Sequence, residues 1–75
     1  MAPITIYTKK TCAPCSMVKK LLTYKNVNFE EKDVELTENM AEAMNLSGMS
    51  MVPIIKIGDN VISGYQPAQI LQLIK

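Results

Sequence analysis

Two cysteines three positions apart, Cys12 and Cys15, stand where the hydrophobic rhythm of the chain changes. Before them, Ile4-Thr5-Ile6-Tyr7 alternates and is rich in β-forming side chains, which predicts a strand over 3–8. After them, Met17, Val18, Leu21, Leu22 and Tyr24 recur at helical spacing, which predicts a helix over 16–25, opened by a turn from Thr11 to Pro14. Lys19, Lys20 and Lys25 fall on its other faces, and lysines late in a helix suit its negative end. A helix that follows a strand through so short a turn must fold back on it. A third segment then returns as a parallel strand through a right-handed crossover.

The remaining chain supplies that strand and more. Asn26 breaks the helix, and 27–34 reads as a second strand with Val27 and Phe29 pointing one way. Thr37 with Glu38 can cap a helix over 38–47, whose apolar positions are Met40, Ala43, Met44 and Leu46. Ser47-Gly48 ends it. Pro53 begins the apolar strand Ile54-Ile55-Lys56-Ile57, Gly58-Asp59-Asn60 turns, and Val61-Ile62-Ser63 returns as a hairpin. Gly64 to Pro67 turns again, and Pro67 suits the first turn of a last helix carrying Ile70, Leu71, Leu73 and Ile74. The order is βαβαββα, an α/β fold with a four-stranded mixed sheet and helices on both faces.

Seventy-five residues make a single domain, 1–75, with a modest core, since a chain this short buries about 60% of its unfolded surface. An apolar content of 48% is enough for that core and argues against disorder. The net charge of +1 gives no nucleic-acid footprint. No apolar run approaches the roughly 20 residues of a membrane helix, and Met1-Ala2-Pro3-Ile4-Thr5 has neither a basic leader nor a secretory core, so the expectation is a cytoplasmic protein without a membrane partner. There the thiol pool keeps cysteine pairs reduced, which turns the reading of Cys12 and Cys15 from a structural staple to catalysis or metal binding.

A C-x-x-C beside a βαβ pattern is the signature of a thioredoxin-like redox site. Two intervening residues in a helical first turn bring the sulfurs within disulfide reach. The first cysteine stays near the exposed helix end and the second turns inward. The helix N-terminus, with free N–H groups and partial positive charge, stabilises a thiolate on Cys12, and Lys9 and Lys10 add to this if their side chains lie close. Such thiolates have pKa values between about 3.5 and 7, against about 8.5 for a free cysteine. The reading is Cys12 as nucleophile and Cys15 as resolving thiol, with the disulfide between them as the only redox group and no separate cofactor. Zinc takes four ligands, and the chain has two cysteines and no histidine, so a Cys/His zinc site cannot be completed within it. The metal-binding alternative is an iron–sulfur dimer bridged through Cys12 and completed by outside thiols.

Five segments, in order, carry a resemblance: Ile6-Tyr7-Thr8-Lys9, Cys12-Ala13-Pro14-Cys15, Asp33-Val34, Val52-Pro53 and Ser63-Gly64-Tyr65-Gln66-Pro67. The sequence resembles the glutaredoxin family, within it the NrdH-redoxin electron donors to ribonucleotide reductase. The resemblance implies a thioredoxin-like fold and a cis peptide bond before Pro53. It implies that the Val52 backbone is free to pair with an extended substrate, as an added strand would. Lys9, Thr11, Val52, Pro53, Ser63, Gly64 and Tyr65 become the expected substrate-binding residues. Glutathione-using glutaredoxins usually carry Gly-Gly and then an Asp. Here Ser63 replaces the first Gly, and Gln66 and Ala68 offer no carboxylate. That favours thioredoxin reductase over glutathione as the reductant, with a glutathione-dependent glutaredoxin as the alternative and a monomer as the expected state. The chain also departs from its relatives. Gln66 stands where NrdH-redoxins commonly have a basic residue, Ala13-Pro14 places proline before the second cysteine as thioredoxins do, and Thr11 replaces the thioredoxin Trp.

Other features are open to two readings. Met17, Met40 and Met44 fit helix stripes and are expected in the core. Met49 and Met51 precede Pro53, where soft thioethers suit a docking surface. Tyr65 is a partner anchor or packs under the last helix, and Tyr7 is expected near the site. Lysines gather in the first third of the chain and carboxylates in the middle. Such an arrangement either steers a partner or is a set of solvated faces.

Overall fold

The structure is a computed structural model that describes residues 3–74. Its elements are β1 (Ile4–Thr8), α1 (Ala13–Tyr24), β2 (Glu30–Asp33), α2 (Thr37–Ser47), β3 (Ile54–Ile57), β4 (Asn60–Ser63) and α3 (Pro67–Leu73). The sheet order is β2-β1-β3-β4, with β2 parallel to β1 and the other two pairings antiparallel. The expected βαβαββα architecture and mixed sheet are present.

Register decides which helix each strand residue meets. Ile6 lies opposite Ile55, which lies opposite Ile62, and this buried row forms the floor of the larger core. Val18 and Leu22 of α1 and Ile70 of α3 close that core from above. One residue along, Tyr7 lies opposite Ile54 on the other face, where Val34 and Ala43 of α2 complete a smaller core. Because strand side chains alternate, one set of strands serves two separate cores.

Several boundaries differ from the sequence reading, among them a one-residue shift at the start of β1 and of β4 and at the ends of α1 and β2, and three side chains differ as well. β2 begins at Glu30 because Asn26 adopts a left-handed φ of 58° and the Val27 N–H bonds back to the Leu22 carbonyl. Residues 26–29 are therefore a helix exit, from which Val27 and Phe29 still pack on the larger core. α2 begins at Thr37, with Leu36 as its uncapped N-cap residue. Asp33 organises that entry instead: its carboxylate accepts the Glu35 N–H, and its carbonyl accepts from the Asn39 side chain. The last difference is at α1, which begins at Ala13 rather than at Ser16.

Met17, Met44 and Tyr24 are exposed, the tyrosine at 81% of its surface, although each sits in an apolar stripe. α1 buries the line Cys15, Val18 and Leu22, and Met17 and Tyr24 lie beyond its edge. α2 buries only Ala43, leaving Met40 and Leu46 half-buried against the core and Met44 outside it. No helix among the described residues is long and apolar enough to cross a membrane.

Candidate active site

The chain leaves β1 at Thr8, turns through Lys9 to Thr11, with the Cys12 N–H bonded to the Lys9 carbonyl, and enters α1. Cys12 is the N-cap, with extended φ and ψ of −102° and 110°. Ser, Thr, Asp and Asn usually fill this position because their side-chain oxygen accepts one of the free N–H groups of the first turn. Here a sulfur does so: Cys12 Sγ accepts from the Cys15 N–H at 3.2 Å. Pro14, in the first turn, has no N–H to leave unsatisfied and a φ already suited to a helix. The first turn holds no acidic side chain. A negative sulfur at position 12 therefore meets a hydrogen bond, a helix dipole and no opposing carboxylate from its own helix.

Cys12 and Cys15 are joined as a disulfide with their Cα atoms 5.3 Å apart. Their environments differ. Cys15 is 1% exposed and belongs to the buried line of α1, whereas Cys12 is half-buried at the helix tip. The half-exposed sulfur is the one an incoming disulfide can reach.

The segment before β3 faces Cys12. The Val52–Pro53 bond is cis, and the Val52 carbonyl oxygen lies 3.9 Å from Cys12 Sγ. Pro53 is buried, while Val52 precedes β3 and takes no part in the strand ladder. The Pro53 carbonyl accepts the Gly64 N–H at 2.8 Å, which ties the Ser63–Gly64 corner to this segment. Gly64 has a φ of 83°, a conformation that other residues rarely adopt, and the Met51 methyl lies 3.7 Å from where a Cβ would stand. Met51 is exposed on this rim, and Met49 is exposed just past the end of α2, where its backbone bonds to the Ser47 hydroxyl. Tyr65 is half-buried against the larger core, which fits the packing reading. Gln66 donates to the Ser63 carbonyl and accepts from Gln69, holding the turn into α3.

The structure thus brings Cys12, Cys15, Val52, Pro53 and Gly64 together. Lys9 and Thr11 are exposed in the loop before Cys12, and neither side chain hydrogen-bonds or ion-pairs among the described residues. Lys10 lines a groove with Thr8, Lys19, Glu31 and Asp33, so it stands among carboxylates. Tyr7 is not part of the site. It points to the α2 face, where its hydroxyl donates to Glu42.

Two polar clusters brace the strands beside the site. Thr8, almost fully buried, donates to Glu31 at 2.7 Å, and Lys19 of α1 donates to the same oxygen at 2.9 Å. The Lys19 bond first, then the Thr8 bond, holds the Glu31 carboxyl below the usual range. On the other face Lys32 donates to Glu42 at 2.8 Å, and this bond, then that of Tyr7, lowers the Glu42 carboxyl. Burial, followed by the bond to Glu42, pushes the Tyr7 phenol up to about 12. Sequence reasoning missed both clusters. The alternation of β1 could have placed Tyr7 opposite Ile6 and Thr8, but the partners lie 23 and 35 residues away.

Comparison with known proteins agrees with this geometry. The glutaredoxin family model matches residues 4–62. The chain is 33% identical to the glutaredoxin-like protein NrdH of Escherichia coli strain K12, over 93% of this chain and 86% of that protein. It is 35% identical to the Gene 56 protein of Mycobacterium phage L5, over 97% of this chain and 73% of that protein. Among solved structures, the E. coli NrdH-redoxin superposes with a TM-score of 0.83 at 32% identity, covering 95% of this chain and 93% of that one. A glutaredoxin from Archaeoglobus fulgidus superposes with a TM-score of 0.91 at 26% identity, covering 100% of this chain and 88% of that one. With its cysteine pair at the mouth of α1 beside a cis-proline, the chain belongs to the glutaredoxin family and is a thiol–disulfide oxidoreductase.

Proposed function

We propose that the protein is a dithiol electron donor that reduces protein disulfides, with ribonucleotide reductase as the target and thioredoxin reductase as the source of electrons. The observation that carries the reading is the asymmetry of the two sulfurs: Cys12 half-exposed at the helix tip and Cys15 1% exposed behind it. The Cys12 thiolate attacks one sulfur of the substrate disulfide. A new S–S bond forms, the old one breaks, and the leaving sulfur departs as a thiolate that takes a proton from water. Cys15 then loses its proton and attacks Cys12 Sγ, expelling the second substrate sulfur. The substrate gains two electrons and two protons, and the protein keeps the Cys12–Cys15 disulfide.

In this reading the backbone of Val52, which lies outside the strand ladder, binds the substrate chain. Pro53, Ser63, Gly64 and Tyr65 shape that side, and Lys9 and Thr11 the other. The choice of reductant follows from the missing carboxylate at Gln66 and Ala68. It is supported by the E. coli NrdH-redoxin, whose solved structure is described as the basis of a thioredoxin-like activity profile. The protein acts as one domain, monomeric and cytoplasmic, and binds neither nucleic acid nor membrane. The test supplies NADPH with thioredoxin reductase, or NADPH with glutathione and its reductase, and follows reduction of a disulfide substrate. Turnover with the first is expected, and turnover only with the second overturns the proposed reductant. Cys15→Ser should accumulate a mixed disulfide through Cys12; a variant that accumulates none overturns the assignment of the two thiols.

A further inference from the structure

The outer face of α1 carries a groove that the chemistry above does not use. It has a volume of about 460 Å³ and is lined by Ser16, Lys19, Lys20, Thr23 and Tyr24. Relative to Cys12, the N-cap of α1, these positions fall at four, seven, eight, eleven and twelve residues, so they share one side of the helix that Cys12 caps. Its Ser16 end lies one residue past Cys15 in the chain. At its far end Tyr24 is exposed, with the Lys25 ammonium 5.6 Å from its ring centre.

Lysines outnumber carboxylates here: Lys19 and Lys20 line the groove, Lys25 adjoins it at Tyr24, and Glu31 meets it through Lys19. Residues 1–29 contain five lysines and no acidic residue, whereas residues 30–42 contain six of the seven carboxylates. Two ion pairs form among the described residues, Lys19 with Glu31 and Lys32 with Glu42. Lys19 is thereby neutralised, and Lys20 is the cation of the groove without an ion-pair partner among the described residues, with Lys9 and Lys10 exposed in the loop at the Cys12 end.

We propose that this groove receives an acidic segment of the protein whose disulfide Cys12 opens, with a carboxylate seated on Lys20. The proposal rests on Cys12 being the attacking sulfur. Cys12 and Lys20 are eight residues apart, about 12 Å along a helix, which an extended peptide spans in about four residues. The carboxylate should therefore lie about four residues from the substrate cysteine.

The test mixes the reduced protein with synthetic peptides that each hold one intramolecular disulfide and differ only in having Glu, Gln or Lys about four residues from the cysteine. Single-turnover rates need no recycling enzyme, so the identity of the reductant does not enter. The Glu peptide should react about tenfold faster than the Lys peptide at low ionic strength. That ratio should fall towards one in high salt. Lys20→Glu should invert the ratio, and Lys56→Glu on β3 should keep it. Equal rates for the three peptides, or a ratio unchanged in Lys20→Glu, overturn the proposal. A protein that reduces neither the peptides nor bis(2-hydroxyethyl) disulfide overturns both the groove and the activity beneath it.

Discussion

The two faces of the sheet are held by different means. Under α1 and α3 the contact is apolar and continuous: Val18, Leu22 and Ile70 sit on Ile6, Ile55 and Ile62, all nearly inaccessible to solvent. Under α2 a single alanine reaches full burial from the helix, and Tyr7, Glu42 and Lys32 join strand to helix by hydrogen bonds and charge. The cysteines belong to the first face. Cys15 extends its buried line, so the packing that fixes α1 also fixes where the second sulfur lies. The second face contributes Val52, half-buried against its smaller core. The site is therefore built at a seam, with the reactive group on the well-packed side and the backbone facing it on the thinner side.

Paired truncations give the largest expected difference between the faces. Leu22→Ala removes a fully buried side chain and should cost about 2–5 kcal/mol in denaturant unfolding. Met40→Ala, from a half-buried position on α2, should cost less than the low end of that range. Equal losses would break the contrast. A smaller effect is expected at Tyr7. Tyr7→Phe keeps the ring and removes the bond to Glu42, for a loss of about 0.5–1.5 kcal/mol. The folded phenol titrates near 12 against an ordinary 10.0, so its contribution is fully present below about pH 10 and fades as pH rises from about 10 to 12. Ultraviolet absorbance should show one phenol ionising near pH 12 that Tyr7→Phe lacks; an unchanged titration would count against the buried bond.

The smallest effect lies at acid pH, and there the two faces should behave alike. Glu31 and Glu42 both have carboxyls lowered in the folded protein. Their contributions are present above the ordinary value of 4.5 and are lost as pH falls through the folded values. Both pairs are substantially exposed, so salt should shrink the effect. Glu31→Gln and Glu42→Gln should each flatten the acid limb of the stability curve by a comparable, small amount. A steep loss for one alone would show that the two clusters are not equivalent.

Much of this was legible from local pattern. Alternation in Ile4-Thr5-Ile6-Tyr7, the Gly58-Asp59 turn and Gly48 at the end of α2 each point to the element observed, because each depends on residues a few positions apart. The exit of α1 was not legible. Val27 and Phe29 have the spacing of a strand and do pack inward, yet Asn26 takes a left-handed turn and the segment stays a loop. Met17, Met44 and Tyr24 were misplaced for a related reason. A stripe shows that a helix has an apolar side, but not how wide a strip of it the sheet covers.

What the sequence alone determined is the redox pair, its place at the start of a helix and the order of the elements, since spacing and periodicity are properties of neighbours along the chain. The tertiary structure decided which sulfur is buried, that the Val52 carbonyl lies 3.9 Å from Cys12 across 40 residues, and that Thr8 and Tyr7 find carboxylates on opposite faces. Those facts depend on sheet register, where a shift of one residue exchanges the faces, and register is set by the packing of the whole core.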